Sequence, residues 1–188
     1  MTARKREQLL DTAERLFYAE GFHATGIDRI VTEAGVVRMT LYNHFPSKEA
    51  LVAEVLDRRH KRFLARLDAA LADSAPGAAV RALAEAHGPW LASESRQGCI
   101  LVKAMGEFAE HGPAIHARAH AAKQDLLERI RAALAKDGLA AREGLDRRLF
   151  LVLEGSNNAV PVLGVEAALA ATRQSLDDLL ITATAGSA

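Results

Sequence analysis

Apolar positions recur at three- and four-residue intervals through most of this chain, the spacing of helices that bury one face. Leu9, Ala13, Leu16 and Phe17 line one side of a first helix. Ile27, Ile30, Val31 and Ala34 form the stripe of a short second helix. Thr25 with Asp28 three residues on predicts a capping-box start for it, and Gly35 a left-handed stop. A third helix, roughly Arg38 to His44, turns Val37, Leu41 and Phe45 inward before Pro46 halts it. Ser47 can cap a fourth running to about Ala72, with Leu51, Val55, Arg59 and Phe63 on one face. Two short helices around a tight Gly turn are the helix-turn-helix unit, whose second helix enters the DNA major groove.

Beyond that helix the punctuation continues. Ser74-Ala75-Pro76-Gly77 breaks it, Pro76 is expected to start the next, and Gly88-Pro89 to interrupt that one. Gly98 precedes another helix, and Gly112-Pro113 opens a long one that Lys136-Asp137-Gly138 should stop. Two more are expected at roughly Arg142–Val160, which Pro161 ends or kinks, and Val165–Ala183. In the last, Val165, Leu169, Thr172, Leu176, Leu179 and Ala183 alternate spacings of four and three, a short a/d seam. The helix before it carries Leu149-Phe150-Leu151-Val152-Leu153, too apolar on all sides to face water. Together they predict a four-helix bundle shared by two subunits, with Val165, Leu169, Thr172, Leu176 and Leu179 at the interface. No period-2 strand is found, so the fold class is all-α.

With Leu41 and Phe45 in the core, the outer face of the third helix holds Arg38, Met39, Thr40, Tyr42, Asn43 and His44. Arg38 can pair with guanine, Asn43 with adenine, and Met39 can meet a thymine methyl. Thr40, Tyr42 and His44 suit phosphate or base edges. Lys48 falls in the first turn of its helix, where the dipole disfavours a cation unless an anion docks there. Thr25 can act similarly at the start of its own helix. A solvated helix face is the alternative for each of these residues.

Gly21-Phe22, Ala24-Thr25, Ile30, Ala34-Gly35-Val36 and above all Thr40 through Leu51 (TLYNHFPSKEAL) resemble the DNA-binding domain of the TetR/AcrR family of bacterial regulators. The resemblance covers the first quarter of the chain. It implies an all-helical fold of about nine helices and a dimeric, ligand-responsive repressor bound to a palindromic operator. By it, Arg38, Thr40, Tyr42, His44 and Lys48 fall on the family's DNA-contacting positions. Val37 and Met39 stand where the family often has small or polar residues, and Asp28 where some members carry a cation. The expected division is a DNA-binding domain over 1–46 and an effector-binding and dimerisation domain over 47–188. Residues 98–108 (GCILVKAMGEF) also resemble the regulatory domain of one subgroup, where the corresponding helix lines an effector pocket. Leu101, Met105 and Phe108 share a face that could do so here, with Phe63 and Trp90 as walls, for a small and largely apolar effector. Met and aromatics at helical spacing are otherwise core. Lys103 and Glu107, at i and i+4, are placed to pair with each other.

Composition adds limits. At 188 residues the chain suits one or two small domains, and its few aromatics favour helices. The single cysteine, Cys99, excludes an internal disulfide framework and fits a reducing cytoplasm. The opening is basic like a signal peptide, but Asp11, Glu14 and Arg15 interrupt its apolar run. No run of 18 apolar residues predicts a membrane span. Net charge is zero, and residues 1–48 hold seven Lys/Arg against six Asp/Glu, so the DNA reading rests on placement, with the Arg4-Lys5-Arg6 cluster a solvated terminus or a nucleic-acid arm.

Two other classes remain at this stage. His116 and His120 stand at metal-binding spacing, with His111 and Glu107 nearby, but no HExxH element or second cysteine completes a set. No phosphate-cradling Gly-rich loop appears, and a Cys99 nucleophile has no evident base. No metal, cofactor or catalytic residue is therefore expected. The second is an all-helical interaction module whose helix-turn-helix does not touch DNA; Arg38, Tyr42, His44 and Lys48 together argue against it, since a core needs none of them.

Overall fold

The computed structural model describes residues 2–185; Met1 and residues 186–188, at the outer ends of the two expected domains, lie outside. The described residues form nine helices: α1 Thr2–Glu20, α2 Ile27–Glu33, α3 Arg38–His44, α4 Lys48–Asp73, α5 Ala79–Glu94, α6 Ile100–Glu107, α7 Pro113–Lys136, α8 Leu145–Leu163 and α9 Val165–Ala185. They pack as two compact units that interleave along the chain. Of the described residues, one comprises 2–61 with 100–122, the other 62–99 with 123–185. No helix among the described residues is long and apolar enough to cross a membrane.

In the first unit Leu9, Ala13, Leu16 and Phe17 of α1 are fully buried, as their spacing predicts, against Ile30, Leu41, Leu51 and Val55. Ile100, Ala104 and Phe108 join the same core from α6 and its end. The second unit has its own core of Leu67, Leu83, Trp90, Leu126, Ile130, Leu149, Leu153 and Leu176, drawn from α4, α5, α7, α8 and α9.

The helices depart from expectation at three prolines. Pro76 does not start α5: the helix begins at Ala79, where the Asp137 carboxylate accepts the free amides of Ala79 and Val80 at 2.8 and 2.9 Å. An acceptor supplied from the end of α7 replaces a local cap. Nor do Gly88-Pro89 interrupt α5, which runs through them. Proline in a helix interior costs roughly 3 kcal/mol. Burying Leu83, Trp90 and Leu91 on either side contributes roughly 1.5–3 kcal/mol each, which outweighs it. Pro161 is likewise carried inside α8, which ends at Leu163 because Gly164 turns out at φ +79°.

Candidate nucleic-acid interface

Local hydrogen bonds set the turn between α2 and α3. Gly35, at φ +61°, lets its own amide reach the Thr32 carbonyl (3.2 Å) and the Val36 amide reach Val31 (3.0 Å). This pair of bonds is a Schellman stop, and it needs the left-handed residue the sequence supplies. Leu41 and Phe45 are buried and Ser47 Oγ accepts the Ala50 amide at 3.1 Å, capping α4 as expected. Val37, expected inside, is instead 67% exposed.

The capping role expected of Thr25 is not seen. Gly26 is the residue before α2 and makes no side-chain cap. Thr25 is fully buried, and its hydroxyl donates backwards to the carbonyls of Gly21 (2.7 Å) and Leu16 (3.4 Å). That hydroxyl ties the α1–α2 turn together and is not presented to a phosphate.

Met39, at 68% exposure, Tyr42 and Asn43 stand out from α3, with Thr40 and His44 half-buried beside them. Arg38 is not free. Its Nε (3.0 Å) and an outer nitrogen (2.5 Å) both donate to Asp28 Oδ1, which raises its pKa. Lys48 is half-buried and donates to the His23 carbonyl at 3.3 Å; burial lowers its pKa, while Glu49 and Glu107 pull the other way. Of the basic N-terminal cluster, Arg6 pairs with Glu54 at 2.7 Å and lies over the Phe45 ring.

Glu107 is a residue that sequence reasoning placed elsewhere. It does not pair with Lys103. Its two oxygens accept the amides of Phe22 (3.1 Å) and His23 (2.8 Å), and its carbonyl accepts from His23 Nε2 at 2.7 Å. Lys103 reaches the Tyr18 carbonyl at 3.0 Å and covers the Tyr18 ring. So α6 fastens the turn that carries His23, and through His23 the Lys48 ammonium. The free amides after the Gly21 turn were the only signal available for this.

The five residues expected around an effector fall into two groups. Phe108 packs on Phe22 (ring centroids 5.6 Å) in the first unit's core, with Leu101 and Met105 partly buried against it. Phe63 and Trp90 meet at 5.1 Å in the second unit. Of the expected association seam, Thr172 and Leu176 are buried within the chain's own second unit, and Val165, Leu169 and Leu179 are half-buried. Leu169, Thr172 and Leu176 line an open groove of about 600 Å³ against α5. The large apolar side chains left outward on α8 and α9 are Leu151, Val162, Leu163 and Ile181. Among the described residues no group of three or more His, Cys, Asp or Glu is gathered as a metal site would require; His116 and His120 belong to none.

Residues 9–55 match the family model described as bacterial regulatory proteins, tetR family. Over 59 residues the chain is 48% identical to YxaF of Bacillus subtilis, an uncharacterized HTH-type transcriptional regulator, covering 30% of this chain and 31% of that protein. Over 66 residues it is 41% identical to the HTH-type transcriptional repressor ComR of Escherichia coli, covering 35% and 31%. The chain thus spans about a third of the length of these curated relatives. A solved regulator from Saccharomonospora viridis in complex with choline shares the fold, with a TM-score of 0.73, 22% identity and coverage of 95% and 96%. A solved TetR-family transcriptional regulator from Streptomyces coelicolor aligns over 94% of this chain and 96% of its own, at 34% identity and a TM-score of 0.80. Similar to that regulator along nearly its whole length, and carrying the family's helix-turn-helix, this chain belongs to the TetR family.

Proposed function

We propose that this chain is a DNA-binding transcriptional regulator, not an enzyme, acting in the cytoplasm as a homodimer that represses from a palindromic operator until a small-molecule effector releases it. The division of labour follows the sequence: residues 1–46 bind DNA, and residues 47–188 bind the effector and the second copy. The observation that carries the reading is the outward face of α3. Met39, Tyr42 and Asn43 project from a seven-residue helix braced by Leu41 and Phe45, beside the cation Lys48 at the start of α4. A fold needs no such projection; a major groove does. Two copies are required because one seven-residue helix reads only a few base pairs, and a palindrome matches two-fold symmetry.

Selection of bound duplexes from a random pool tests this directly. An inverted repeat with half-sites about one helical turn apart, or a multiple of it, is expected. Binding with no recovered consensus, or none at all, would favour the interaction module.

A further inference from the structure

Polar side chains are buried together where α5, α7 and α8 meet in the second unit. Lys123 of α7 donates to Glu154 Oε2 at 2.6 Å and to Cys99 Sγ at 3.0 Å. Burial opposes its charge, but Cys99 and Glu154 more than offset this and hold its pKa above the ordinary lysine value. His87 of α5 is 1% exposed, lies edge-on to Phe63 at 5.7 Å and feels the Lys123 charge. Neither ring nitrogen makes a hydrogen bond of ordinary geometry within the protein, and the Leu153 carbonyl acts on the ring in the opposite sense to burial, raising its pKa. On α8, Glu154 Oε1 and Asn157 Oδ1 are also buried without partners. Asn157 sits between Leu153, the neighbour of His87, and Val160, which packs with Leu91 one turn past His87 on α5.

Each buried polar atom left unpaired costs stability, and apolar side chains of similar size would hold these helices at least as well. The arrangement makes sense as a recognition surface. With His87 neutral, three of the four unpartnered atoms are acceptors (Glu154 Oε1, Asn157 Oδ1 and one ring nitrogen) and one is a donor. Lys123 and Glu154 cancel in charge, so the site gives no net attraction to an ion.

We propose that His87, Glu154 and Asn157 form the recognition core of the effector site, and that it takes a small uncharged molecule rich in hydrogen-bond donors, such as a primary amide, a urea or a diol. This rests on the reading of the protein as effector-responsive and departs from the largely apolar effector expected from Leu101, Met105 and Phe108. Cys99 and Lys123 are each one peptide bond from the first unit, at Ile100 and Ala122, so a ligand gripping this cluster acts on the chain where it passes between units.

The test uses the full chain with its selected operator and a panel in matched sets: uncharged amides, ureas and diols, their N- or O-methylated counterparts lacking donors, and the related carboxylates and ammonium compounds. Thermal shift and release of labelled operator are read together. Uncharged donor-bearing compounds should raise the unfolding temperature and release the duplex, and methylation should weaken both by about tenfold. Asn157→Leu should unfold cooperatively at or above the wild-type temperature yet lose the ligand-induced shift by about tenfold; His87→Leu makes the same comparison from α5. If charged or donor-free compounds act equally well, on the wild type and on both variants, this ligand class and site are wrong while the effector reading survives. No response to any class would overturn the effector reading itself.

Discussion

Arg38 cannot reach a guanine without releasing or sharing Asp28 Oδ1, which already holds two of its nitrogens. Both side chains are well exposed, so water competes for the pair and DNA can break it. Arg38→Ala should relax preference at one or two base pairs, costing about 1–3 kcal/mol there. Asp28→Asn should act in the opposite sense, tightening binding to every duplex and steepening the salt dependence by about one unit of slope, because a charge that repels phosphate is gone and Arg38 is freed. Fluorescence anisotropy across a randomised site and a salt series reads both. Uniform loss in Arg38→Ala would make Arg38 a phosphate contact. His87 gives a second residue-scale test. Burial, reinforced by the Lys123 charge, lowers its pKa from 6.5 to about 4, so the folded state favours the neutral ring. Unfolded chains bind that proton first as pH falls. The stability linked to His87 is therefore complete above pH 6.5 and lost on descending towards pH 4, about 3 kcal/mol in all. Glu33 and Asp146, held low by Arg15 and Arg131, lose their contributions only at lower pH, below their ordinary values of 4.5 and 3.8. Urea unfolding should show His87→Leu nearly flat between about pH 6.5 and 4.5 where the wild type slopes; an unchanged slope would assign it to other groups.

At the scale of the element, α6 shows what periodicity can and cannot say. The spacing of Leu101, Met105 and Phe108 predicts a helix with one apolar face, and the helix is there. Its destination is not written in that spacing, because any apolar core accepts such a face, and α6 packs on Phe22 in the first unit. Phe108→Ala should accordingly cost about 3–5 kcal/mol of stability and weaken DNA binding with it. A variant that kept its unfolding temperature but lost effector response would put Phe108 in the pocket. Thr25 illustrates the same limit one level down: a Thr three residues before an acidic residue has the capping pattern, but its buried hydroxyl finds the carbonyls of the preceding turn first. What was legible in the helix-turn-helix, Gly35, Leu41, Phe45 and Ser47, is set by backbone geometry and burial within a few residues. Glu107 illustrates the converse, since its partners Phe22 and His23 lie some 85 positions away. Glu107→Ala frees two amides and unfastens the turn beneath Lys48, so DNA affinity should fall together with the unfolding temperature, each amide being worth about 1 kcal/mol. Glu107→Gln, which retains an acceptor, should recover part of both.

For the whole molecule, the a/d seam of α9 identifies a face without identifying what lies opposite. Thr172 and Leu176 are buried within the chain's own second unit, while Val165, Leu169 and Leu179 stay half-buried, so two of the five seam positions are taken up inside one subunit. Helices α8 and α9 also carry apolar side chains on the other side: Leu151 is 68% exposed and Val162 84%, with Leu163 and Ile181 beside them in the sequence pattern of the same two helices. Exposed side chains of this size are a liability in an isolated subunit and an asset in a two-fold bundle. The dimer proposed for operator binding is therefore expected to close through that outer side. Leu151→Glu with Val162→Glu should give a folded monomer by light scattering, with helical content and unfolding temperature close to the wild type, because neither side chain is part of the subunit core. Leu169→Glu with Leu176→Glu should instead unfold or aggregate, since Leu176 is buried and an unpaired charge there is costly. Operator affinity separates the cases further. A monomer holds one half-site, so the first variant should lose specific affinity steeply while retaining the weak, salt-sensitive binding of a single helix-turn-helix. A dimer that survives both outer charges would move the interface off α8.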